Sequence, residues 1–437
     1  MSLCDTRTTG RATGLRKLGL ATLLLGSLSF IAHGANAEAD GNPILTGGES
    51  NDLPAYNFPY RNGLYATLAG YLSIKDIELK QQKSFKLKID GFKTRVPVRA
   101  VIQPRPAPLV VVLLGVDGEA KGKLGKLWPS WLAESGCHVL TFDSTFLASF
   151  IEISGHGVTG NLVAETERVR DIISAFLNQA EIRGKVTKLG IAGMSYGGIQ
   201  ALLLGQMANE GKLPFKIDAI QSYCPPIRLQ KTGELIDKWY REDRWQYTLV
   251  GLAEEITGHK PVGPNDPVPF DDSLMRAGIA AVFRLGLVDV IVRNDRAYKM
   301  NALPKGNNFD DEYVKRDYAA TWGYGRFMRE LSYEYWKDRM NYHDIADLTR
   351  PIQLENLLQK QPPYSETIIA EDDPFNEASD TSDIISKFRG NGLTVLPHGG
   401  HLGFVNDPWT KAKLLSLFKT TGSRQASLDS PSSTKEK

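Results

Sequence analysis

Few folds accommodate the stretch Lys188-Leu189-Gly190-Ile191-Ala192-Gly193-Met194-Ser195-Tyr196-Gly197-Gly198-Ile199-Gln200-Ala201-Leu202-Leu203-Leu204. An apolar segment of strand character ends at Met194, one serine follows, and an apolar helix begins at once. Such a sharp reversal leaves the turn residue little steric room, which is why small residues at Gly193 and Gly197 matter. Ser195 then stands clear of a sheet edge, with a helix N-terminus behind it. A serine hydroxyl is a weak nucleophile until a base takes its proton. A chemical role for Ser195 therefore requires a histidine and an acid elsewhere in the chain.

Two later strand ends supply both. Ile368-Ile369-Ala370-Glu371-Asp372-Asp373-Pro374-Phe375 closes an apolar strand in carboxylates, and Leu393-Thr394-Val395-Leu396-Pro397-His398-Gly399-Gly400-His401-Leu402-Gly403-Phe404 closes another in histidine. Upstream, alternation over Phe85–Ile89 and Val96–Val101 predicts two strands. The continuous apolar run Leu109–Leu114 suits a central parallel strand covered on both faces. A helix is expected over Trp128–Ser135, a strand over Cys137–Phe142, a helix over Asn161–Asn178 and a strand over Ile217–Tyr223. Strands alternating with helices imply a parallel, doubly wound sheet. From about 228 the alternation stops, and an aromatic-rich helical pattern that includes Trp239, Trp245, Phe283, Trp322, Tyr324 and Trp336 replaces it. The core resumes near Ser365, with later helices over Asp380–Phe388 and Trp409–Phe418.

In the order serine, acid, histidine, the chain resembles the serine-nucleophile branch of the α/β-hydrolase superfamily (esterase/lipase-like, with a large inserted lid) over roughly residues 85–225 and 363–420. The resemblance implies a mostly parallel eight-stranded sheet with a helical cap inserted after strand 6, where it would roof the strand ends. It makes Ser195 the nucleophile and His401 the base, because His401 follows Gly399-Gly400 beyond the strand, whereas His398 still belongs to the strand end. Asp373 is the acid by the family's spacing, with Asp372 the alternative; Glu371 and Asp372 are otherwise expected to be solvated or to cap the following turn. The oxyanion donors it implies are the main-chain N–H of Tyr196 and that of Val116. The loop before Val116 carries Leu114-Gly115 where many relatives have His-Gly. Gly155-His156-Gly157 also resembles a family feature, and His156 is read as structural.

The first 37 residues read as a secretory signal. A basic section ends at Arg16-Lys17, an apolar run follows from Leu18 to Ala32, and Ala35-Asn36-Ala37 is a small-x-small cleavage site. The run is shorter than the roughly 20 residues a bilayer crossing needs. Net charge is +2, and the basic residues of this leader account for it. Nothing therefore points to nucleic acid. Cys137 and Cys224 belong to strands well separated in the sheet and are read as buried thiols without a disulfide. His138, His259 and His343 lack ligand spacing, and no dinucleotide fingerprint opens a strand–helix unit, so neither metal nor cofactor is expected.

The expected organisation is a signal peptide over 1–37, an N-terminal arm over 38–83 with a short helix at Leu64–Ile74, and a core over 84–227 and 363–421. A helical lid occupies 228–362 and a disordered tail 422–437. The expected activity is that of an exported serine hydrolase cleaving an ester through an acyl-enzyme, on an uncharged small-molecule or lipid-like substrate. No membrane span should remain after signal cleavage. A peptidase or acyltransferase on the same residues, or a non-catalytic binding protein on this core, are the alternatives. Substrate-binding residues and oligomeric state stay open.

Overall fold

Strand β3 (Ala107–Leu113) and strand β5 (Val186–Met194) lie at the centre of the sheet, and their sequences show why. Val110, Val112, Ala192 and Met194 pack into one core cluster, while Leu109, Val111, Leu113 and Ile191 pack into another. Both faces are covered, so the apolar run is continuous rather than alternating. The computed structural model describes residues 53–418 except 80, 156, 244–246, 260–261, 264–265 and 306–310. The residues read as a signal peptide, the start of the N-terminal arm, the C-terminal tail, His156 and Trp245 lie outside the described residues.

The remaining strands are β1 (Lys83–Leu87), β2 (Val96–Val101), β4 (His138–Thr141), β6 (Ala219–Tyr223), β7 (Ser365–Ala370) and β8 (Leu393–Leu396). They form one eight-stranded sheet in the order β1-β2-β4-β3-β5-β6-β7-β8. Pairings β1–β2 and β2–β4 are antiparallel, and all others are parallel. This is the doubly wound, mostly parallel sheet expected. The parallel strands consequently deliver the residues after β3, β5, β7 and β8 to the same edge of the sheet.

Flanking helices are α1 (Gly63–Leu72), α2 (Lys123–Glu134), α3 (Ala148–Ser154), α4 (Leu162–Leu177) and α5 (Tyr196–Asn209). Asn161 caps α4 by accepting the Ala164 N–H at 3.2 Å, which fixes its start. Helix α2 begins five residues before the expected Trp128 and carries Pro129 in its interior. Its opening turn is rich in lysine and glycine, so the apolar stripe becomes visible only from Leu127 onward.

Between β6 and β7 the described residues contain helices and no strand. They are α6 (Leu229–Asp243), α7 (Leu249–Gly258), the 27-residue α8 (Asp272–Tyr298), α9 (Asp311–Ala319), α10 (Tyr324–Phe327), α11 (Glu334–Met340), α12 (Ile345–Thr349) and α13 (Leu354–Leu358). A π turn over Met328–Tyr333 joins α10 to α11. The segment is tied to the core by specific bonds. Trp336 Nε1 donates to the Val158 carbonyl at 2.7 Å, and the Thr159 N–H donates to Asn294 Oδ1 at 3.0 Å. Helices α14 (Ala378–Phe388) and α15 (Pro408–Leu415) complete the fold.

Neither Cys137 nor Cys224 is in a disulfide. Cys224 is fully buried, but Cys137 is only half-buried because it precedes β4 at the sheet's rim. Among the described residues no helix is long and apolar enough to cross a membrane.

Candidate active site

Ser195 sits between β5 and α5 with φ 51° and ψ −116°. A non-glycine residue in such a conformation is strained by about 1–3 kcal/mol and persists only where its surroundings hold it. The surroundings do so here. The Ser195 N–H donates to the Tyr223 carbonyl of β6 at 2.8 Å. A Cβ on Gly193 would run into the Gly197 carbonyl, and one on Gly197 would run into the Leu113 carbonyl. Both glycines are therefore demanded by the closeness of β3, β5 and α5.

The ends of β7 and β8 bring two side chains to this serine. His401 Nε2 lies 2.9 Å from Ser195 Oγ, and His401 Nδ1 lies 2.8 Å from Asp373 Oδ2. A proton on Nδ1, facing the carboxylate, leaves Nε2 to accept from the hydroxyl. Both side chains are deeply buried, His401 at 7% and Asp373 at 3% relative exposure. Asp373 Oδ1 accepts the Phe375 N–H at 2.9 Å, so both carboxylate oxygens are occupied and the group is fixed in orientation. The Phe375 ring stands edge-on to the imidazole, with centroids 4.6 Å apart.

The competing residues go elsewhere. The His398 ring packs edge-on against Tyr56 and Phe58, and its carbonyl accepts the Tyr56 hydroxyl at 2.8 Å. Burial lowers its pKa, and Arg61 lowers it further. Asp372 departs from the solvated or turn-capping role expected. Its Oδ1 accepts the Gly400 N–H at 2.8 Å, which braces the loop carrying His401. Desolvation raises its pKa despite that bond. Glu371 is the solvated member, paired with Arg389 at 3.1 Å.

The loop after β3 lies directly against the serine, since a Cβ on Gly115 would be 3.5 Å from Ser195 Cβ. Val116 and Tyr196 both line the pocket over Ser195. Among the described residues neither main-chain N–H donates to a protein acceptor. Next to Val116, Asp117 is exposed, with its carboxyl set close against Gly286. Desolvation, followed by the charge of Glu119, pushes its pKa up to about 7.

The support beneath Tyr196 joins residues far apart in the sequence. Its phenol donates to Glu165 Oε2 at 2.8 Å, and Thr145 Oγ1 donates to the same oxygen at 2.5 Å. Glu165 Oε1 accepts the Gly160 N–H at 2.7 Å. Burial raises the Glu165 pKa, opposed by these three bonds. The polar residue in the first turn of α4 was a visible signal, but its target 31 residues away was not.

The pocket is a cavity of about 100 Å³. Val116, Phe146, Phe283, Tyr324, Met328 and Phe375 supply apolar walls around Ser195 and His401. Phe283 and Tyr324 come from the segment between β6 and β7. Other large aromatics of that segment are buried away from the pocket, Trp239 and Trp322 among them. Cys224, Asp373 and His401 place potential metal-ligand atoms within 4.8 Å of one another. Two of the three already bond each other, and burial followed by the charge of Asp373 drives the thiol pKa well up.

A family model described as the alpha/beta hydrolase family matches residues 124–411. The chain belongs to the alpha/beta hydrolase family. Solved structures that this chain matches include an esterase of Pyrococcus furiosus, at 11% identity and TM-score 0.43, covering 79% of this chain and 97% of that one. Est1E of Butyrivibrio proteoclasticus matches at 14% identity and TM-score 0.37, covering 78% and 99%. Carboxyl esterase 2 of Tuber melanosporum matches at 13% and 0.42, covering 80% and 89%. No curated protein sequence matches the chain.

Proposed function

We propose that this hydrolase cleaves carboxylic esters with Ser195 as nucleophile, His401 as general base and Asp373 as the acid that orients it. The observation that carries the reading is the continuous series from Ser195 Oγ through His401 to Asp373, at 2.9 and 2.8 Å. His401 Nε2 takes the hydroxyl proton as Oγ attacks the ester carbonyl carbon. The carbonyl electron pair moves to oxygen, where the N–H groups of Val116 and Tyr196 stabilise it. Collapse breaks the C–O bond to the alcohol, and the His401 proton goes to that leaving oxygen. Water, deprotonated by the same imidazole, then attacks the acyl-enzyme and restores Ser195.

The helical segment over 228–362 acts as a lid in this reading, and Phe283 and Tyr324 on the pocket wall support it. Apolar walls favour an uncharged acyl group. The cavity of about 100 Å³ is smaller than the roughly 150 Å³ of a cavity that admits benzene. Short acyl groups therefore fit without rearrangement of the lid. The basic, apolar and small-residue pattern of residues 7–37 supports export.

A turnover screen over p-nitrophenyl esters of increasing chain length, alongside aminoacyl amides, tests the proposal. Short-chain esters should be turned over fastest, and Ser195→Ala should be silent on all of them. Activity on amides alone would replace the ester reading, and activity retained by Ser195→Ala would remove the nucleophile.

A further inference from the structure

The N-terminal arm, unremarkable in sequence, lies against the loop that carries His401. Helix α1 is capped by Asn62, whose side chain accepts the Tyr65 N–H at 3.0 Å. One turn further, the Thr67 hydroxyl donates to the Gly63 carbonyl at 2.7 Å. That bond uses its single hydrogen and leaves its lone pairs free to accept. The His401 main-chain N–H donates to this oxygen at 2.9 Å.

The approach is backbone against backbone. A Cβ on Gly400 would strike the Gly63 carbonyl, and one on Gly403 would strike the Ala66 carbonyl. A Cβ on Gly70 would in turn meet the Gly403 main chain. Gly63, Ala66 and Gly70 recur at helical spacing, so one face of α1 is kept small for this contact. Gly400 itself sits at φ 58°, a conformation glycine adopts freely. With its N–H held by Asp372 and the next one held by Thr67, the turn before the imidazole is fixed at two successive residues.

We propose that Thr67 is a positioning residue for the base: its hydroxyl sets the main chain of His401 so that the imidazole spans Ser195 and Asp373. This rests on the serine-hydrolase reading above. Valine at 67 keeps the branched shape but removes the acceptor, leaving a buried N–H unsatisfied and the loop free to relax. Misplacement of a reacting group by about 1 Å can cost about 100-fold in rate.

The test compares wild type with Thr67→Val, Thr67→Ala and Thr67→Ser on a short-chain ester. Rates are normalised to folded protein by circular dichroism and thermal melting. Thr67→Val and Thr67→Ala should lose about 10- to 100-fold in kcat with KM within about twofold. Their inactivation by a fluorophosphonate should slow in parallel, and Thr67→Ser should recover most of both. If the folded Val and Ala variants match an active, labelled wild type, or if Ser fails to rescue, Thr67 does not position the base. A wild type that neither turns over ester nor labels would instead overturn the serine-hydrolase reading beneath it.

Discussion

Replacing His401 with alanine lowers kcat on a short-chain ester by roughly 10⁴- to 10⁶-fold, as expected when one member of a nucleophile–base pair is lost. The size follows from its position. Its Nε2 is the acceptor 2.9 Å from Ser195 Oγ, and without it the hydroxyl keeps its proton at neutral pH. His398→Ala serves as the contrast. That ring is packed against Tyr56 and Phe58 on the far side of the Gly399-Gly400 turn, so its loss should lower the melting temperature and reduce kcat by about tenfold or less. Steady-state kinetics on the two variants separate these outcomes. Equal losses would mean that both imidazoles take part, which the geometry forbids for a single proton transfer.

Asp373→Asn lowers kcat by about 10⁴-fold, because a carboxamide presents a donor to Nδ1 or favours the wrong imidazole tautomer. Asp372→Asn is far milder. Its Oδ1 receives the Gly400 N–H at 2.8 Å, and an asparagine oxygen accepts that bond equally well. A loss of tenfold or less is expected there, the residue acting through the loop rather than on the imidazole. Measuring both variants at saturating ester assigns the acid, and a reversed order would move it by one position.

The elbow was legible in sequence because local rules govern it. A strand buried on both faces must be apolar throughout, and a turn between β5 and α5 tight enough to strain Ser195 must be flanked by glycine. The mostly parallel, doubly wound sheet followed from the alternation of elements. Asp372 and Asp373 were harder to separate, since neighbouring carboxylates have the same chemistry and only the path of the turn decides which faces the imidazole. Less visible still were contacts between parts distant in sequence. Thr67 meets His401 across 334 residues, and Tyr196 meets Glu165 across 31. Periodicity reports which face of an element is buried, not which loop it is buried against. The Gly63, Ala66 and Gly70 face of α1 was a hint of close approach, but it did not name its partner. Helix α2 was shortened in the sequence reading because Pro129 and the lysine-rich opening turn conceal its first residues.

The most direct measurement is covalent labelling of the wild-type protein by a fluorophosphonate, followed by mass spectrometry of the modified peptide. One adduct is expected, on Ser195, formed readily in wild type and absent in both Ser195→Ala and His401→Ala. An unmodified Ser195 in folded wild type, or an adduct carried by another residue, would contradict it.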